Sequence, residues 1–223
     1  LTSEHLSRYR DLAVLLTRYG MKDFRMSVDP ADALVEDDGQ SALEPEVRQR
    51  AEAFATKLKE MGPTFIKFGQ LLSTRPDIVP PEYIDALEQL QDQVEPFPLS
   101  DVEAIIESEL KIRVSKLFSE FESKPVAAAS LGQVHRASLH DGREVVVKVQ
   151  RPGIRPIIKQ DLEVFRQIAE KLDQHTSIGR KMNLIGAVDQ LQQTLIAELD
   201  YLQEARNSEI LKRNLAEFQD IYI

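Results

Sequence analysis

The chain has 223 residues, 42% of them hydrophobic, and 28 Lys and Arg against 37 Asp and Glu give it a formal charge of -9 and a pI near 5.1. That length allows one sizeable core or two small ones, and the acidic balance argues against a nucleic-acid partner, which needs a basic face. The lack of cysteine excludes disulfides and thiolate metal sites, and His5, His135, His140 and His175 are too scattered to form a ligand cluster, so no structural metal is expected.

No apolar run approaches the roughly 20 residues that span a bilayer, and no signal-peptide pattern opens the chain. The expected location is cytoplasmic, possibly peripheral at a membrane. Residues 4–20 place Leu6, Tyr9, Leu12, Ala13, Leu16 and Tyr19 on one helical face with Arg8, Arg10 and Arg18 among the polar positions, and Gly20 is the stop. Such a helix can lie on an anionic membrane or dock a partner, but packing on its own protein is the default. Residues 27–44 are acidic and poor in apolar side chains, as a linker is.

From residue 45 the periodicity is helical for about eighty residues. EPEVRQRAEAFATKLKEMG stops at Gly62, and Pro63 suits the first turn of the next helix, PTFIKFGQLLST. A proline-punctuated turn follows, then Pro81 opens PEYIDALEQLQDQ, and Ser100 with Glu103 reads as a capping box for a fourth helix. From about Pro125 the pattern changes to strands. VHRASLH and REVVVKVQ alternate around the turn His140-Asp141-Gly142. RPGIRP breaks the second strand, and DLEVFRQIAEKLDQ and a long segment from Leu184 to Phe218 read as helices.

Two groups of residues invite a chemical reading. Asp200 and Glu204, four apart, share a helical face with Glu198 nearby, which is either a solvated acidic face or a site for cations. A small-residue loop, a hairpin, a strand lysine (Lys148) and then a helix with glutamates follow in the order used by the kinase N-terminal lobe, where the lysine grips nucleotide phosphates. Lys67 and Gln70, three apart beside Phe65, Phe68 and Leu72, read from pattern alone as an ordinary amphipathic surface.

Taken together, KFGQLLSTRPDIVP, AAASLGQVH, VVVKVQRPG and ELDYLQEARN resemble the UbiB family of atypical kinase-like proteins, also called aarF-domain-containing kinases. The resemblance runs from about Glu46 to the end of the chain. It implies an α+β fold: a protein-kinase-like N-terminal lobe, with an antiparallel sheet and C-helix, behind a large N-terminal helical extension. With the pattern of the preceding residues, the expected organisation is an amphipathic helix (1–26), a linker (27–44), a helical extension (45–124) and a partial small lobe (125–223), with the C-terminal lobe absent. Lys67, Gly69 and Gln70 match the family's KxGQ signature, which gates the nucleotide cleft. Ala127, Ala128, Ala129, Ser130, Leu131 and Gly132 match its alanine-rich, nucleotide-binding loop. Lys148 matches the phosphate-contacting lysine and Glu204 its partner, while Glu198 and Asp200 match an ExD signature that should face Lys67.

The implied ligand is ATP or ADP with magnesium, whose metal ligands are expected outside this chain, since it has no HRD-like or DFG-like segment. This chain alone is therefore expected to be inactive. FQDIYI reads as the start of another strand. The implied role of the parent protein is an ATP-dependent kinase-like phosphotransferase or ATPase in isoprenoid quinone or related lipid metabolism, with membrane lipid or quinone-pathway proteins as possible partners. The alternative is a non-catalytic nucleotide-sensing regulator or scaffold. Alanine in place of glycine restricts the loop backbone, and the expectation is a loop that narrows nucleotide choice and disfavours transfer to proteins.

Overall fold

The computed structural model describes residues 3–15, 40–90, 95–176, 180 and 182–218. The expected Gly20 stop, most of the acidic linker and the final strand segment after Phe218 lie outside them.

The helical part turns on Gly62 and Pro63. Gly62 adopts φ 107, a conformation that glycine reaches without a Cβ penalty, and so ends α2 (Gln40–Met61) while Pro63 opens α3 (Pro63–Ser73). α2 begins inside the segment read as linker and carries Pro45 one turn in, where the missing N–H removes a bond of the helix ladder. After the turn at Pro80, α4 (Pro81–Glu88) ends sooner than its sequence pattern suggested. The three helices bury Phe54, Leu58, Phe65, Tyr83 and Leu87, with Phe54 and Tyr83 in edge-to-face contact at 5.6 Å.

α1 (Ser3–Leu15) packs on its own protein. Leu12 of the expected stripe is buried and Tyr9 packs against the core, joined by Leu15, which the stripe did not include, while Val14 is exposed. Its Arg8 guanidinium donates to the Met61 carbonyl at 2.6 Å and lies 3.5 Å from the buried carboxylate of Asp161, which also accepts from Thr64 Oγ1 at 2.7 Å. Asp161 belongs to α7 (Ile154–His175), whose Phe165 ring stacks against Phe65 and Phe68 of α3 at 5.0 and 4.7 Å. α8 (Leu184–Leu199) adds Val188, Leu191, Leu195 and Leu199 to the same core. Helices distant in sequence therefore close one apolar cluster.

The second cluster belongs to the sheet. α5 (Leu99–Leu110) starts after Pro98 with no side-chain cap, so the expected Ser100–Glu103 capping box does not form; Ser100 is already inside the helix. A short α6 (Val114–Leu117) leads into β1 (Phe118–Phe121), a strand earlier than the sequence change at Pro125 suggested. Its burial does not alternate cleanly and its register shifts between Phe118 and Glu120, which erases the period-2 signal. β2 (Ala127–Ala128), β3 (Gly132–Leu139) and β4 (Glu144–Gln150) complete an antiparallel sheet in which β1 and β2 share one edge of β3 and β4 takes the other. Gly142, at φ 87, and Asp141, whose carboxylate accepts from the Arg143 amide, form the hairpin turn. Gln133 is buried and uses its side-chain amide to bond both the N–H and the C=O of Phe97, and it donates to His135 Nε2.

Candidate nucleotide cleft

The loop between β2 and β3 is mostly strand. Ala127 and Ala128 pair with Val134 and Gln133, and the Ala129 amide donates to the Gly132 carbonyl at 2.8 Å, closing a tight turn over Ser130 and Leu131. None of residues 127–132 adopts a positive φ. That is the local reason alanine is accepted here: an extended backbone leaves room for Cβ, and glycine's special conformations are not needed. Gly132 is the exception, for reasons of space. A Cβ built on it would lie 2.5 Å from the Val149 carbonyl oxygen and 2.6 Å from the Tyr201 hydroxyl. Leu131 is buried in the helical cluster and its carbonyl accepts from the Arg151 amide at 2.9 Å, so the loop tip is tied to both parts of the molecule.

Below the loop is a cleft of about 710 Å³, within the size range of small-molecule sites. Lys67, Ala127, Ala129, Ser130, Leu131, Gly132, Lys148, Glu198, Asp200 and Glu204 line it, together with Tyr201. Ala128, Gly69 and Gln70 do not. Gly69 lets α3 approach its neighbours, since a Cβ there would sit 2.9 Å from a Leu58 methyl, and Gln70 donates to the Leu90 carbonyl at 3.1 Å.

Two lysine–glutamate pairs line the cleft. Lys148 Nζ, on β4, meets both Glu204 oxygens at 3.0 and 2.7 Å. An ammonium has three donors, so this pair leaves capacity for a phosphate oxygen. Lys67 Nζ, carried by α3, lies 2.8 Å from Glu198 Oε1. Glu198 is held in turn by the end of α8, where the Leu199 carbonyl accepts from Arg155 at 2.7 Å and Gln150 at 3.1 Å.

The three carboxylates do not share one helix, as the sequence pattern suggested. The segment breaks at Asp200 (φ -93, ψ 76), and α9 (Tyr201–Asn214) begins anew with Asp200 as its cap, Oδ1 accepting from the Gln203 amide at 2.9 Å. Aspartate satisfies an orphan N–H better at a helix start than in an interior, and here it divides the run. Glu198 therefore ends one helix and Glu204 lies in the first turn of the next.

Sequence reasoning missed Tyr201. Its ring lies 4.6 Å below Lys148 Nζ, and burial, then the charges of Glu204 and Glu198, push its phenol up to about 12. The signal was available as an aromatic directly after the acidic pair. Among the described residues no group of three His, Cys, Asp or Glu is placed to hold a metal ion, and Glu198 and Glu204 are each committed to a lysine, so these side chains do not fit a magnesium site.

Residues 89–223 match the model of the ABC1 atypical kinase-like domain. A probable protein kinase UbiB of Marinobacter nauticus is 44% identical over 174 residues, 78% of this chain and 32% of that protein. The chloroplastic protein ACTIVITY OF BC1 COMPLEX KINASE 8 of Arabidopsis thaliana is 46% identical over 180 residues, 78% of this chain and 24% of that protein. An uncharacterized protein of Synechocystis, sll1770, is 42% identical over 175 residues, covering 78% of this chain and 30% of its own. The chain thus spans about a quarter to a third of the length of the curated relatives it matches. No described helix is long and apolar enough to cross a membrane. By the domain match and these relatives, with a kinase-like sheet that carries its lysine opposite a helix glutamate, the chain belongs to the UbiB-like family of ABC1 atypical kinase-like proteins.

Proposed function

We propose that this chain forms the nucleotide-holding part of an ATP-dependent atypical kinase or ATPase acting in isoprenoid quinone or related lipid metabolism. The observation that carries the reading is the Lys148–Glu204 pair beneath the alanine-rich loop. A strand ammonium fixed by a helix carboxylate is the arrangement that grips α and β phosphates in kinases. Residues Ala127 to Gly132 cover the phosphates, and Lys67, Gly69 and Gln70 with Glu198 and Asp200 form the gate over the cleft. In that gate only Lys67, Glu198 and Asp200 reach the cleft; Gly69 and Gln70 set the seat of α3. Bound ATP would supply its terminal phosphoryl group and leave ADP, and magnesium would be held by groups other than the carboxylates described here. The quinone pathway rests on the family resemblance and not on any geometry of the cleft.

Calorimetric titration of magnesium-ATP and ADP into the full protein tests the reading. Lys148→Ala is expected to weaken binding at least tenfold, on the order of what loss of a charged phosphate contact costs. Unchanged affinity removes Lys148 from the phosphate site. Magnesium-dependent hydrolysis measured with and without lipid vesicles then separates enzyme from regulator: binding without turnover in either condition assigns a sensing or scaffolding role.

A further inference from the structure

Tyr201 stands where three elements cross, and no charge pairing explains it. Its ring faces the Lys148 ammonium at 4.6 Å from the centroid. Its hydroxyl fills the space that a side chain at position 132 would need, against the one glycine of an otherwise alanine-rich turn. It is also the least exposed residue of α9, and α9 buries none of its residues. The helix that carries Glu204 thus meets the sheet at its first turn, through Tyr201 and the Glu204–Lys148 pair.

We propose that Tyr201 is a positioning residue for the nucleotide site: its ring sets the Lys148 ammonium between itself and Glu204, and its hydroxyl sets the spacing between α9 and the alanine-rich loop. An ammonium against an aromatic face is attracted by the ring quadrupole even at an exposed site such as Lys148. Glu204 alone would leave a long, flexible lysine with many rotamers, since a solvent-facing ion pair constrains geometry weakly. The ring restricts these. Gly132 then needs no positive φ; it is glycine because the Tyr201 hydroxyl and the Val149 carbonyl leave no room for Cβ. The phenol, with its pKa raised, stays protonated and uncharged beside two carboxylates, so it adds no repulsion to the phosphate site.

The inference deepens the reading of Lys148 as a phosphate-holding group and rests on it for its functional consequence, but its structural core is testable without nucleotide. In full protein carrying 13C-labelled lysine, the ε-methylene of Lys148, assigned by its loss in Lys148→Met, should resonate upfield of the other lysines because of the ring current. Tyr201→Phe keeps that shift. Tyr201→Leu abolishes it, and Gly132→Ala reduces it by displacing the ring. A Lys148 signal at the ordinary lysine position in the unsubstituted protein overturns the proposal.

The functional arm is a double-mutant cycle on magnesium-ATP affinity. Tyr201→Leu is expected to weaken binding about five- to tenfold, and less than twofold when Lys148 is already Met, because Tyr201 acts through the ammonium. Equal losses in both backgrounds would mean a purely structural side chain and defeat the proposal. If the upfield shift is present but Lys148→Met leaves nucleotide binding unchanged, the phosphate reading falls and the seating of Lys148 by Tyr201 stands.

Discussion

The two lysine–glutamate pairs of the cleft look alike in chemistry and differ in what carries them. Lys67 projects from α3, which Phe65 and Phe68 fix against Phe165, and its partner Glu198 ends α8, whose Leu191 and Leu195 are fully buried. The Lys67 side chain is 14% exposed. Lys148 stands on a half-exposed strand, and Glu204 belongs to a helix with no buried residue; their side chains are 44% and 56% exposed. One pair joins helices of a single apolar core and the other joins a sheet to an arm. The lesson is that the same ion pair can be a fixed strut or an adjustable contact, depending on the packing behind it.

Phe65→Ala strikes the support of the fixed pair and should have the largest effect, a loss of about 3–5 kcal/mol in urea denaturation, the range for truncating a buried phenylalanine. A loss below about 1 kcal/mol would mean that α3 is not seated by its aromatics and that the contrast is false. Glu198→Gln should come next, costing about 1–2 kcal/mol, since it removes the carboxylate from a mostly desolvated ammonium. Lys148→Met should change stability by less than about 0.5 kcal/mol, because solvent screens that pair. Equal costs for the last two would erase the distinction.

The remaining effect shows only in alkali. The folded phenol of Tyr201 is pushed up to about 12, whereas an unfolded tyrosine ionises near about 10. Between those values the native chain keeps a proton that the unfolded chain has released, so stability should fall as pH rises through this window. Tyrosinate absorbance should show one late-titrating tyrosine, absent in Tyr201→Phe, and that variant should flatten the alkaline decline.

The long apolar periodicities were legible in the sequence: α3 with its Gly62–Pro63 start, the β3–β4 hairpin with Gly142, and α8 with its three- and four-residue leucine steps. Lys148 and Glu204 could be placed in order but not in space, because 56 residues and two helices separate them in the chain. What stayed hidden was short or non-local. β1 has four residues and a register shift, so no period survives; Asp200 reads as one more carboxylate until its cap bond shows that the helix ends there. Gln70 matched a cleft signature, yet its amide turns to the Leu90 carbonyl, a bond that no sequence spacing specifies.

The Arg151 guanidinium, lying over the Phe97 ring and donating to the Glu95 carbonyl at 3.0 Å, shares the join between the helical extension and the sheet with the side-chain amide of Gln133. Because Gln133 answers both the N–H and the C=O of Phe97, it behaves as one rung of a ladder supplied by a side chain, splicing the passing segment onto the inner face of β3. Such a rung has no slack. Lengthening the segment around Phe97 by one residue would present the rung with the wrong backbone groups, whereas an insertion at the His140–Gly142 turn on the other end of the same strand would meet only solvent. Variation in chain length among related sequences should therefore collect at the hairpin tip and avoid the splice.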